Sequence, residues 1–482
     1  MVDWGRCIQQ TTDGGYIIAG ACDRNVYTPW QGYVYLLKID DNGTIEWEQH
    51  YGVVPNENVG SSVQQTTDGG YIIAGFTGYT YHFDASVLKT DSQGILTWSR
   101  TLGCYDFYDD TLSVQQTTDG GYIFTGWTAS YGAGSSDVWL IKLNSAGEML
   151  WNRTYGGTGL DGGDCVQQTT DDGFIIVGST YSFDSGGNGD VWLIKTDADG
   201  NEQWNTSYGG GYLDVGKSVQ QTRDGGYILT GATSSFEPGN NDVWLIKTDA
   251  WGNEQWSTTF GGSGWDQGKS VIQTTDGGYF ITGDSVDPIH SDLEIYLIQT
   301  DENGGEKWAS LIDHNGKTDS ASHGIQAQDD GYIIVGETGE YNFAAVDVLV
   351  VKIEGINDPP QTPVITGPSS GKPGKEYVYS FTAADPEENE VYYLIDWGDD
   401  TTSDWIGPYP SGVEVTKSHT WVKKGVYVLQ AKAKDRDGNE SDWGSCTVTM
   451  PCSFTIPIHW IFEKIFQRFL NALPLLQHLL SY

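Results

Sequence analysis

The stretch SVQQTTDGGYIIAG, residues 62–75, is one of seven copies of a single pattern, and that repetition constrains the fold more than any other feature of the chain. The Asp that opens the turn in each copy stands at Asp13, Asp68, Asp119, Asp171, Asp224, Asp276 and Asp329, spaced 55, 51, 52, 53, 52 and 53 residues apart. So regular a period belongs to architectures in which one supersecondary unit cannot bury its apolar surface alone and stacks on copies of itself.

Residues 218–256 show what the unit is. SVQQT reads as a short strand, RDGG as a turn, YILTG and DVWLIKTD as apolar strands, and NEQW as a fourth strand after a second turn. Asp-Gly between apolar runs is a strong hairpin signal, because the tight turn needs a positive φ that Gly supplies freely. The runs YIIAG and VWLIK do not alternate with polar residues, so both faces of the sheet must be covered. Sixty-four Gly, 28 Tyr and 19 Trp beside 3 Met agree with strands, tight turns and aromatic packing. The expectation is an all-β chain in which residues 1–355 form a seven-bladed β-propeller. The seventh copy stops at Asp347–Lys352 with no Trp strand after it, which predicts one three-stranded blade. Met1-Val2-Asp3-Trp4 already lies inside a repeat with no basic-then-apolar leader, so the start reads as truncated.

The second turn carries a resemblance. Lys195-Thr196-Asp197-Ala198-Asp199-Gly200-Asn201-Glu202-Gln203-Trp204 is similar to the tryptophan-docking motif of pyrroloquinoline-quinone-type propellers, and it recurs at Gly43/Trp47, Gly94/Trp98, Gly147/Trp151, Gly252/Trp256 and Gly304/Trp308. The resemblance implies a girdle of six Trp wedged between adjacent blades. It does not imply the quinone, because the chain has no adjacent cysteine pair. The whole unit, DGGYIIAG followed by DVWLIKTDADGNEQW, resembles repeats of secreted archaeal and bacterial surface proteins.

Charge narrows the partners. Twenty-five basic against 65 acidic residues give a net charge of −40, which would repel a phosphate backbone and argues against nucleic acid. Six cysteines do not make a disulfide scaffold. Cys7 with Cys22 and Cys446 with Cys452 are the pairs that could bridge, while Cys7 and Cys165 read as buried small residues.

Strand order places the DGG and DG hairpins on one side of the ring, leaving the loops between second and third strands on the other. That variable face carries aromatics that break the repeat. Trp30, Tyr79, Tyr81, His82, Phe107, Tyr108, Trp265 and His290 are the candidate ligand-binding residues, since sugar rings stack on exposed aromatics. Gln10, Gln65, Gln116, Gln168, Gln221, Gln273 and Gln326 form a channel ring whose simplest use is bonding to neighbouring backbone. Asp3, Asp109, Asp161, Asp214, Asp266 and Asp319, with Asn58 in the second copy, precede each first strand and either cap the link or hold cations. No organic cofactor is indicated; calcium is the one ion the acidic positions suggest. No GxSxG, HExxH or P-loop spacing occurs, and 65 acids nominate no catalytic pair.

After Lys352 the character changes. Residues 356–362 are a Pro-rich linker, and residues 363–452 read as the short strands of a sandwich. Asp396-Trp397-Gly398-Asp399-Asp400, His419-Thr420-Trp421 and Gly425-Val426-Tyr427 resemble the PKD family, with Asp400 in place of its second Gly and Trp421 in place of its Tyr. That resemblance implies an immunoglobulin-like fold and extracellular placement. Asp435 and Asp437 either shape a turn or hold calcium. Residues 453–482 place apolar side chains at helical spacing up to Pro474, an amphipathic helix that packs on the sandwich or a partner, or lies in a membrane surface. The resulting reading is a non-enzymatic protein of the cell surface or extracellular space that recognises a glycan or another surface protein. Its rival is a carbohydrate-active hydrolase or lyase with acids at the propeller mouth.

Overall fold

The computed structural model describes residues 2–451 apart from 24–31, 53–55, 80–81, 105–106, 184–185, 237–240, 287–292, 315–316, 340–345, 354–358, 387–388 and 437. The chain divides into two compact units, Met1–Gly355 and Ile356–Tyr482.

In the first unit each repeat forms its own antiparallel set of strands, the first and seventh joined edge to edge into one seven-stranded sheet, and no sheet closes on itself. The fourth shows the pattern: strands Asp161–Gln168, Phe174–Thr180, Asp190–Thr196 and Glu202–Tyr208 pair in sequence order. The Asp-Gly turns predicted from sequence join the first strand to the second and the third to the fourth. The seventh sheet has three strands, Thr318–Gln326, Tyr332–Gly339 and Val346–Ile353, and its last strand meets the first sheet through one parallel pair, Val2 with Val346. Each first strand carries a bulge, for example between Gly163 and Cys165, leaving one residue per sheet outside the ladder. A bulge bends the strand and re-aims that side chain.

The apolar runs are buried on both faces because the cores lie between sheets. Ile175, Val177, Val191 and Leu193 of the fourth sheet pack on Val219, Tyr227, Leu229 and Trp244 of the fifth. Equivalent clusters join every successive pair, and another joins Ile8, Ile18 and Leu37 of the first sheet to Ile333 and Val335 of the seventh.

The six Trp dock between sheets, as the sequence implied, and five of them lie over the turn of the following repeat, while Trp308 packs on Tyr332 of the three-stranded seventh sheet. Trp151 covers Gly200 and Trp204 covers Gly252, and the same holds for Trp47 on Gly94, Trp98 on Gly147 and Trp256 on Gly304. Each indole also meets an aromatic of that next sheet, as Trp204 meets Tyr227 at 5.9 Å. Tyr155 and Tyr208 add hydrogen bonds of 2.6 Å to the carbonyls of Gly200 and Gly252.

The hairpin Asp of each repeat is tied locally. Asp171 accepts from the Gly173 N–H at 3.1 Å and from Lys195 Nζ at 2.9 Å, with the Lys side chain almost wholly buried. Burial alone would raise such a carboxyl, but the Thr hydroxyl, Lys and Gly N–H outweigh it and hold Asp119 and Asp224 at about 2. In the sixth repeat Gln299 replaces the Lys, and Lys307 reaches Asp276 instead.

The second unit is a two-sheet sandwich. Strands 364–366, 377–382 and 415–419 form one sheet and strands 391–396, 406–409, 425–434 and 444–450 the other. Trp397, Trp421, Tyr379 and Phe381 fill the core, and Trp421 Nε1–H donates to the Trp397 carbonyl at 3.0 Å. The expected helix in 453–482 lies outside the described residues.

The expected Cys7–Cys22 bridge is corrected here, and Asp435 takes the turn role that the sequence offered. Cys7 and Cys22 are both free thiols: Cys7 Sγ faces the Val63 carbonyl and Cys22 Sγ faces His50 Nδ1 at 3.1 Å, so their strand positions point them to different neighbours. Cys446 is free as well, while Cys452 lies outside the described residues. Asp435 is fully buried and receives the N–H groups of Gly438 and Asn439 and the Asn439 side chain, which is turn chemistry; Asp437 lies outside the described residues.

Candidate functional site

Sevenfold order is broken in two places, and both breaks arise from side chains at equivalent positions of the repeat. The ring of Gln does not contribute to either. Gln65 Oε1 accepts from the Thr12 N–H, Gln116 from Thr67, Gln168 from Thr118, Gln221 from Thr170, Gln273 from Arg223 and Gln326 from Thr275, at 2.8–3.0 Å. Gln10 accepts from Gln328 at 3.2 Å, so the series returns to its start. These side chains tie each first strand to the preceding repeat.

The first break is a cleft of about 780 Å³ between the first and second sheets. Its walls include His50 and Tyr51 on one side and Asn58, Tyr79, His82, Asp84 and Ser86 on the other, with Ser99 and Thr101 on the outer strand. The cause is legible in one position. The third strands of the third, fourth and fifth sheets carry Trp139, Trp192 and Trp244, each covered by a loop aromatic: Tyr131, Phe183 and Phe236, at ring separations of 5.5, 5.4 and 5.0 Å. The second sheet has Ser86 at that position, so the space an indole fills elsewhere stands open. Tyr79 is 55% exposed at the rim, and His50 stacks on Tyr35 at 5.2 Å. Volume, one-sided aromatics and a few polar groups are what small-ligand clefts share.

The second break is a group of charges on inner strands. Arg6, Asp164, Lys217 and Lys269 occupy the bulge position of their first strands, where the second and third sheets carry Ser61 and Leu112. Lys217 pairs with Asp164 at 2.7 Å, and Lys269 pairs with the buried Asp284. Asp110 is buried, its Oδ1 meets no partner, and desolvation pushes its carboxyl up to about 7 despite the opposing pull of Arg6. Glu337 is raised by burial as well, against Arg6 and Lys269. Three of the few cations in the repeats thus meet four acids, three of which, Asp110, Asp284 and Glu337, burial pushes above the usual carboxylate range. Sequence reasoning missed this group. Its signal was four charged residues at one repeat position where the other copies have Ser61, Leu112 and Ser322, but only the bulge brings those charges together.

Of the ligand-binding candidates, Tyr79 and His82 stand in the cleft. Tyr108 packs between Phe83 at 5.4 Å and Trp127 at 6.0 Å, and Phe107 is half exposed beside it. Trp265 is 36% exposed at the start of the sixth sheet. These do not line the cleft, because each sits on the loop of its own repeat. Trp30, Tyr81 and His290 lie outside the described residues.

The Asp that precede the first strands act as loop caps. Asp161 accepts from Thr180, from the N–H groups of Tyr181 and Ser182, and from Ser182 Oγ and the Gly157 N–H. Asp109 and Asp214 take the same hydroxyl and amide partners, and Asp266 and Asp319 receive N–H groups of Gly262 and His314. Asp3 opens the first strand, half-buried. Among the described residues no group of three or more His, Cys, Asp or Glu is placed to hold a metal ion.

Comparison with known proteins adds two neighbours. No protein-family profile matches the chain. The regulatory protein FlaEY of Caulobacter vibrioides is 27% identical over 184 residues, 36% of this chain and 19% of that protein, so the chain spans about a fifth of its length. The PKD domain of an M14-like peptidase from Thermoplasmatales archaeon SCGC AB-540-F20 is 54% identical over 20% of this chain and 99% of that domain, with a TM-score of 0.20. An all-β chain of repeated antiparallel sheets with a PKD-like neighbour is what fold and comparisons together establish.

Proposed function

We propose that residues 1–355 are a seven-bladed β-propeller that binds a glycan in the cleft between its first and second blades, carried with a PKD-like module on an extracellular or cell-surface protein. The propeller reading is supported by the Gln series that returns to its start and by the core shared between the seventh and first sheets. The observation that carries the binding reading is Ser86, which stands where the third, fourth and fifth repeats place Trp and opens the cleft beside Tyr79 and His82. Tyr79 offers a ring face to a sugar, and Asn58, His82, Asp84, Ser99 and Thr101 offer hydrogen bonds to its hydroxyls.

The test is glycan-array binding with reducing-sugar release measured on the same preparation. Ser86→Trp should refill the cleft, abolish binding and leave thermal stability unchanged or higher. Tyr79→Ala should weaken binding about tenfold, the stacking contribution of one ring. Unchanged binding by both variants removes the cleft as the site. A second reading, hydrolysis by the inner acids, is favoured by Asp110, whose carboxyl remains protonated near neutrality. Sugar release abolished by Asp110→Asn and untouched by Ser86→Trp would select it.

A further inference from the structure

Five junctions between successive sheets are fastened by the same parts: a fourth strand, its indole over the glycine of the next sheet's second turn, and a ring beneath that indole. A methyl added at Gly94, Gly147, Gly200, Gly252 or Gly304 would meet the preceding repeat's Trp at 2.6–2.8 Å. The same five indoles lie 5.8–6.0 Å from the aromatic that opens the following second strand, as Trp47 does from Tyr71 and Trp256 from Tyr279.

The junction of the seventh sheet with the first is built like these in its inner part. Val346 meets Val2 in the parallel bridge that Phe83 makes with Tyr108 and Ser136 with Leu160, and the two sheets share a core. Its outer part is empty. Beyond that bridge, no strand among the described residues pairs with the outer edge of Val346–Ile353. Val348, Leu349, Val350 and Val351 are half-buried, where Val191, Trp192, Leu193 and Ile194 of the fourth sheet are buried. The Lys352 side chain is 36% exposed against 4% for its equivalent Lys195. Gly43, the counterpart of Gly200, keeps the positive φ of that turn, +81° against +74°, yet an added methyl there meets nothing within 4 Å. Tyr16, the counterpart of Tyr227, stacks on no ring among the described residues.

The filled junctions show what fits this slot. In the fourth sheet Lys195 stands opposite Trp204 and Val191 opposite Tyr208. The same register on the seventh sheet sets an indole opposite Lys352, over Gly43 and beside Tyr16, and a second aromatic opposite Val348. A Tyr there would reach the Gly43 carbonyl as Tyr208 reaches that of Gly252 at 2.6 Å. An unpaired edge is a template for a further strand: main-chain hydrogen bonds supply affinity and the pockets for alternate side chains supply specificity.

We propose that the outer edge of Val346–Ile353 is a docking site for an extended strand of a second polypeptide, one that carries Trp and, four residues later, Tyr or Phe. The strand adds antiparallel to the seventh sheet and seats its indole over Gly43. The six fourth strands of this chain are each held in their own sheets, so the occupant is another polypeptide. This goes beyond the glycan reading and does not depend on it.

The probe is a fluorescein-labelled peptide NEQWNTSY, the sequence of residues 201–208, titrated with the full chain. Anisotropy reads affinity, and amide hydrogen exchange reads location. The expected result is one peptide per chain and slowed exchange in residues 346–353. A peptide with Ala in place of its Trp should bind about 30-fold more weakly, the loss typical of a buried aromatic anchor. Gly43→Ala should weaken binding about tenfold or more, because its methyl takes the space of the indole. Its melting temperature should fall no further than that of Gly225→Ala, whose methyl also enters open space and which should bind the peptide as the parent does. Absence of binding, equal binding of the Ala peptide, a Gly43→Ala chain that binds like the parent, or protection outside residues 346–353 alone would each overturn the proposal. A failed glycan array leaves these readouts intact, and Ser86→Trp should not change peptide affinity.

Discussion

Two glycines separate what a docked indole contributes from what backbone strain costs. Gly200 and Gly225 both sit in turns at positive φ, +74° and +86°. An added methyl meets nothing within 4 Å at Gly225, but at Gly200 it lies 2.8 and 2.9 Å from Trp151 ring carbons and 3.0 Å from Arg153 Cγ. Gly225→Ala therefore measures the left-handed penalty alone, about 1–2 kcal/mol. Gly200→Ala includes the same penalty plus displacement of a packed ring, and overpacking of this kind costs a further ~1–3 kcal/mol. Urea denaturation of the full chain, followed by Trp fluorescence, reads the difference as a shift in midpoint at constant slope. Adding Trp151→Ala closes a cycle: it should be strongly destabilising in the parent, yet the excess penalty of Gly200→Ala over Gly225→Ala should vanish in its presence. Equal destabilisation by the two glycine variants, or an excess that survives Trp151→Ala, would refute the claim that indoles lock successive sheets together.

Further outcomes follow from single sites. Because its folded carboxyl is raised to about 7, Asp110 stabilises the chain fully below about pH 4 and loses that contribution as pH rises through 7. Asp110→Asn should flatten the fall in melting temperature between those limits. Asp119 behaves oppositely: held at about 2, it stabilises above about pH 4 and is lost as pH falls toward 2. Asp119→Asn should remove part of the acid-unfolding response by no more than ~1 kcal/mol, since the carboxylate is largely exposed. In the sandwich, Trp421→Ala should cost about 3–5 kcal/mol by urea titration, as the indole is fully buried and its N–H is bonded.

The sequence by itself determined the repeat, its four strands, the turns and the identity of the six docking Trp, because each follows from local chemistry: positive φ at Asp-Gly, apolar runs without alternation, and an indole at a constant offset. It also delimited the sandwich through Asp396–Asp400 and His419–Trp421. What tertiary structure decided was which departures from the repeat meet. Ser86 reads as one more small residue until its strand is laid beside Trp139 and Trp192, whereupon it is the missing wall of a cleft. Arg6, Asp164, Lys217 and Lys269 lie 158, 53 and 52 residues apart in sequence, and only a bulge repeated in each first strand turns them toward common partners. A periodic chain announces its period locally, whereas its chemistry resides in exceptions whose neighbours are set by stacking.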